Sequence, residues 1–154
     1  LQVLNLVCIQ TQQLINYFAN QSYTNVSENY FATYSKNHLT ESQEIQKLKK
    51  QSNAEVHLNV AFAELIGKYS NEVYGEMEIK NEESGLTMFF SHHPKLRGFL
   101  KPLSEKSLLC TFNDQTYGIH AFPFEVVNGK VNNITVKVND FIDYQYYKFT
   151  KKNN

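Results

Sequence analysis

A chain of 154 residues is the size of one domain and is long enough to bury roughly 70% of the surface its unfolded form exposes. Its fifteen basic and fifteen acidic side chains cancel at neutral pH, so no bulk field draws in DNA, RNA or an anionic membrane surface, and no nucleic-acid partner is expected. No apolar run is long enough to span a bilayer, so no membrane insertion is expected. Tryptophan is absent, but eleven Phe and ten Tyr supply bulk for a β core. The chain begins at Leu1 rather than Met, from which we expect an excised domain or a mature product.

Leu4, Val7, Leu14, Ile15 and Phe18 recur on one helical face, with Cys8 beside them, which predicts a helix from near the start to about Phe18. The Asn- and Ser-rich stretch 20–27 ends it. Tyr30, Phe31 and Tyr34 form an aromatic cluster compatible with another helical turn. Thr40, with Gln43 three residues on, has the spacing of a capping box and predicts a second helix over 41–51. Its apolar stripe is only Ile45 and Leu48, so it packs at an edge. Residues 51–55 read as a linker, and residues 1–60 as a helical connector.

From about Ala61 the period changes to two. Gly67-Lys68-Tyr69-Ser70-Asn71-Glu72-Val73-Tyr74-Gly75 reads as one strand turning into the next, since glycine tolerates turn geometry and tyrosine suits a half-buried pleated surface. Val73, Met77 and Ile79 alternate with polar residues up to Lys80. Glu82-Glu83-Ser84-Gly85 lies in a hairpin loop, and Leu86, Met88 and Phe90 resume the alternation. Pro94, after His92-His93, is expected to break the ladder. Further strands are predicted at 96–103, 108–112, 119–127, 131–138 and 144–149, with Asn128-Gly129 as a strong hairpin signal. Roughly eight short antiparallel strands at this spacing specify a sandwich or a small up-and-down barrel over 61–154.

In the last strand Tyr144 and Tyr146 would share one face and Tyr147 and Phe149 the other. A strand apolar on both sides requires a cover outside the barrel. Leu14 and Phe18 of the first helix are the candidate packing partners, with the helix expected to be ordered and buried against the β domain; the alternative is an interface with a second copy. The aromatic side chains could fill a solid interior or line a ligand cup; the filled interior is the preferred reading.

Chemistry-bearing motifs are sparse. No serine is followed three residues later by lysine, the spacing that serine hydrolases of the β-lactamase type use to activate their nucleophile, and Lys-Thr-Gly is missing. Tyr23-Thr24-Asn25 and Tyr69-Ser70-Asn71 match the Tyr-x-Asn element in spelling alone. His92 and His93, being adjacent on a strand, point to opposite faces and chelate one ion poorly. His120 and Cys110 add no close ligand pair. Cys8 and Cys110 are expected to be buried free thiols. Glu82-Glu83 is a solvated turn. No catalytic, metal or cofactor site is therefore expected within this chain.

The pattern Gly67-x-Tyr69-x-Asn71-x-x-Tyr74-Gly75 resembles the opening of a lipocalin-like domain found C-terminal to β-lactamase-related serine hydrolases and peptidases, which in one peptidase branch is the octamerisation domain. The similarity continues through Leu96-Arg97-Gly98-Phe99-Leu100, the Phe112 strand and the hairpin from Phe122 to Gly129. The resemblance implies an eight-stranded lipocalin-like barrel serving as a non-catalytic accessory domain, with residues 1–60 a helical connector or the tail of an upstream hydrolase domain. The nucleophile would lie upstream of Leu1, the partner would be the hydrolase domain of the same polypeptide or a second copy in a homo-oligomer, and the setting would be a bacterial periplasm or cell envelope. The alternative is a small apolar-ligand carrier of lipocalin type.

Overall fold

A computed structural model describes residues 2–22, 24–140 and 142–152, with the side chains of residues 2–6 excepted; Leu4 and Tyr23, named above, lie outside the described side chains. The chain divides into two compact units, residues 1–44 and 45–154.

In the first unit, helix α1 spans Gln2–Phe18, as its apolar period predicts. It ends in a Schellman-type turn in which Asn20 takes a φ of 50°, with Asn20 N donating to Tyr17 O and Gln21 N to Asn16 O. Helix α2 spans Val26–Ser52, far longer than the predicted 41–51, and absorbs the Tyr30, Phe31 and Tyr34 cluster. The true cap is Asn25: its Oδ1 accepts from Glu28 N at 3.3 Å while Glu28 accepts back from Asn25 Nδ2 at 3.4 Å. Thr40 lies mid-helix, its hydroxyl turned back onto Lys36 O at 3.0 Å, so the supposed cap is a hydroxyl satisfied within the helix. Cys8 is exposed rather than buried, whereas Cys110 is buried; both are free.

In the second unit, α2 finishes with Ile45 and Leu48 half-buried and Gln51 Nε2 donating to Leu103 O at 3.1 Å. A one-turn helix α3, Phe62–Leu65, precedes eight strands. These are β1 Gly67–Asn71, β2 Gly75–Glu82, β3 Gly85–Phe90, β4 His93–Ser104, β5 Ser107–Phe112, β6 Ile119–Val127, β7 Lys130–Val136 and β8 Tyr147–Lys151. Each pairs antiparallel with the next, and β8 pairs back with β1, giving a closed up-and-down barrel with no free edge. Alternation sends Tyr69, Met77, Met88, Cys110, Phe122 and Phe149 inward, all at most 1% exposed. Asn128 and Gly129, both at positive φ, form the predicted tight hairpin.

Strand directions put the turns at 83–84, 105–106 and 128–129 at one end, where buried Leu65 of α3 lies in the core and accepts the Tyr69 hydroxyl on its carbonyl at 2.7 Å. The turns at 72–74, 91–92, 113–118 and 137–146 gather at the other end.

Three strand expectations change. Val73 lies in the turn, exposed, and β2 starts at Gly75. Pro94 breaks the ladder as expected, but within a strand that already begins at His93 rather than at residue 96. The β3–β4 register passes from Phe90↔His93 to Phe89↔Arg97, so residues 94–96 bulge out of the ladder where proline has no N–H to give. The strand expected at 144–149 begins only at Tyr147, and Tyr144 and Tyr146 lie in the preceding segment, 77% and 63% exposed. β8 is therefore not aromatic on both faces: Tyr147 and Phe149 both face the core, while Lys148 and Thr150 face out.

Closure has the shortest ladder, with Tyr69↔Lys151 and Ser70↔Thr150 its two registered pairs. Asn71 reinforces it: Nδ2 donates to Lys148 O at 3.0 Å, while Oδ1 accepts from Val73 N and Tyr74 N at 2.9 and 3.0 Å. Asn71→Ala should cost about 1–3 kcal/mol in urea melts. Asn71→Asp, which keeps the acceptor but cannot donate to Lys148, should fall between that variant and the parent. Gly75 has a φ of 72°, and an added Cβ would sit 2.5 Å from His92 Nε2. Gly75→Val should therefore destabilise by more than about 1 kcal/mol, read as a lowered urea midpoint.

Candidate functional site at the barrel mouth

The end of the barrel opposite α3 holds an apolar cavity of about 130 Å³. Its floor is Phe90, Val136 and Phe149; its sides are Leu96 and Tyr117; and Val138 and Ile142 of the 137–146 loop border it from above. The Pro94 bulge is what directs Leu96 to this wall. Outside, a shallower groove runs along His92, Pro94, Lys95, Asn113 and Asp114 and shares His93, Leu96 and Tyr117 with the cavity.

Three side chains fasten the long loop to the barrel. Asp143 Oδ2 accepts from the Tyr74 hydroxyl at 2.8 Å and the Tyr147 hydroxyl at 2.7 Å, and Oδ1 accepts from Gln145 N at 2.9 Å. The two rings meet edge to face with centroids 4.3 Å apart. The Gln145 amide, then the two hydroxyls, hold the Asp143 carboxyl below its ordinary range. Burial first, then the bond to Asp143, raises Tyr74; the Asp143 bond, then burial, raises Tyr147. Nearby, Asn139 Nδ2 donates to Thr116 O at 2.8 Å, tying the loop to the 113–118 turn. His120 Nε2 lies 3.0 Å from Tyr117 O, and burial lowers its pKa.

The motif residues thus have separate tasks. Gly67, at a φ of 139°, lets the chain enter β1; Tyr69 ties the core to α3; Asn71 caps the turn and holds the seam; Tyr74 anchors the mouth loop; Gly75 makes room for His92. Of the candidate interface residues, Leu14 and Phe18, expected to be buried, are 58% and 79% exposed. Tyr146 lies beneath the Lys137 ammonium, 4.7 Å from its ring centre. The Asp143 anchor escaped sequence reading because Asp143 is separated from Tyr74 by 69 positions; only the closed barrel brings them together. Among the described residues, no three His, Cys, Asp or Glu side chains converge as metal ligands.

The depressed Asp143 carboxyl contributes stability above the ordinary Asp value of about 3.9, which is lost as pH falls through the lower folded value. Asp143→Asn should therefore melt below the parent at pH 7, and the gap should shrink by pH 3. Urea melts at the two pH values check this; an equal gap at both would show that the charge is immaterial.

No curated protein and no solved structure matches this chain at a significant level. Residues 54–151, which hold α3, all eight strands and the whole mouth, match one family, described as Domain of unknown function (DUF3471). That match covers well over half of the sequence, and the chain belongs to this family.

Proposed function

We propose that this chain is a non-catalytic accessory domain of a β-lactamase-related serine hydrolase, acting by docking on the catalytic domain or by self-association. The observation that carries the reading is the uncovered stripe of α1. Val7, Leu14, Ile15 and Phe18 are each more than half exposed. Each large apolar side chain gains about 1.5–3 kcal/mol on burial, so such a row calls for a partner. The resemblance carried by Gly67 to Gly75 supplies the kind of partner, and the missing Ser-x-x-Lys supports a nucleophile located elsewhere. The carrier reading has less support: pockets for drug-sized ligands run from about 300 Å³ upward, against about 130 Å³ here.

Leu14→Asp combined with Phe18→Asp, followed by light scattering and thermal melting, tests the surface. Loss of mass with an unchanged melt is the result expected for self-association. A parent chain that stays monomeric but is retained by a catalytic domain bearing Ser-x-x-Lys supports docking. A lowered melt without a change of mass would show that the stripe packs within the chain, against the proposal. A fluorophosphonate probe should label no serine; stoichiometric labelling of one would make the chain itself the enzyme.

A further inference from the structure

We infer that the mouth cavity is a binding site for a small, uncharged, ring-sized apolar molecule. This goes beyond the accessory role and does not depend on it. Size sets the first limit: a cavity of about 150 Å³ lined by aliphatic and aromatic side chains stays dry and takes benzene, and this one measures about 130 Å³. A ligand of about six to eight non-hydrogen atoms fits, and a fatty-acid chain does not.

The lining sets the second limit. Phe90, Leu96, Val136, Val138 and Phe149 present only carbon to the space. The hydroxyls of Tyr74 and Tyr147 border it, but both already donate to Asp143. The ammonium of Lys137 borders it too and is engaged by Asp140 at 2.7 Å. His93, exposed at the rim, and Tyr117 are the remaining polar residues of the lining. A charged ligand seated against the carbon lining would lose its hydration there, whereas an uncharged ring loses none. The loop that borders the cavity is held by hydrogen bonds through Asp143 and Asn139 rather than by strand pairing, so access requires no opening of the barrel ladder.

The test uses the chain as it stands, titrated with 4-fluorotoluene and followed by fluorine and methyl NMR, with benzoate as the charged comparison. Saturable binding with a Kd of about 1 mM or tighter is expected, with methyl shifts at Val136, Val138 and Leu96 and benzoate at least tenfold weaker. Val138→Phe should fill the space and abolish binding; Ile142→Phe, at the half-exposed rim, serves if that variant does not fold. No saturable binding up to the solubility limit overturns the inference. So does binding that persists unchanged in a folded, filled variant, or benzoate binding as tightly as the neutral ring.

Discussion

The structure depends on the closure of β8 onto β1. Seven of the eight strand pairings join neighbours in sequence, which connections of two to ten residues bring together at modest entropic cost. The eighth must join segments some eighty residues apart, and it does so through two registered pairs. What the ladder lacks in length is made up around it. Lys152 N donates to Lys68 O at 2.8 Å, Asn71 reaches Lys148 O, and Lys152 pairs with Glu76. Lys151 also donates to the carbonyl of Glu64 in α3. Without the seam, two edges would stand open and the core formed by Tyr69, Met77 and Phe149 would be split along its length.

The two barrel ends differ because the chain treats them differently. At one end α3 places Leu65 in the core. At the other, among the described residues, a bulge, a 3₁₀ turn at Gln115–Tyr117 and residues of the 137–146 connection border the cavity. Side chains projecting from such irregular segments leave a space that a regular strand would have filled. The same irregularity brings together polar groups from distant positions, with Asp143 binding two tyrosines from opposite ends of the domain sequence.

Much of the barrel was legible from residues alone. The period-two alternation of Met77 with Ile79 and of Met88 with Phe90, the Asn128-Gly129 hairpin and the polar 83–84 turn all encode their geometry within a few neighbours. The misreadings share a physical cause. Thr40 looked like a cap because a hydroxyl ahead of a glutamine satisfies local rules, but a continuous helix already satisfied it. Pro94 does interrupt the ladder, as its missing donor predicts, but the interruption is a bulge inside β4, which starts at His93 rather than at residue 96. Tyr144 and Tyr146 looked like strand residues because aromatics favour strands, yet with β7 ending at Val136 the β8 ladder begins only at Tyr147.

The sequence by itself therefore determined an antiparallel β domain of roughly eight strands and its hairpin turns, since these follow from periodicity and local backbone preference; periodicity left sandwich or barrel open, and the barrel was what the family resemblance implied. Only the tertiary structure decided the closing seam, the roles of the motif residues from Gly67 to Gly75, and the mouth with its Asp143 anchor and cavity. Those depend on distances between residues far apart in the chain, and such distances are set by how strands tilt and close rather than by any short run of side chains.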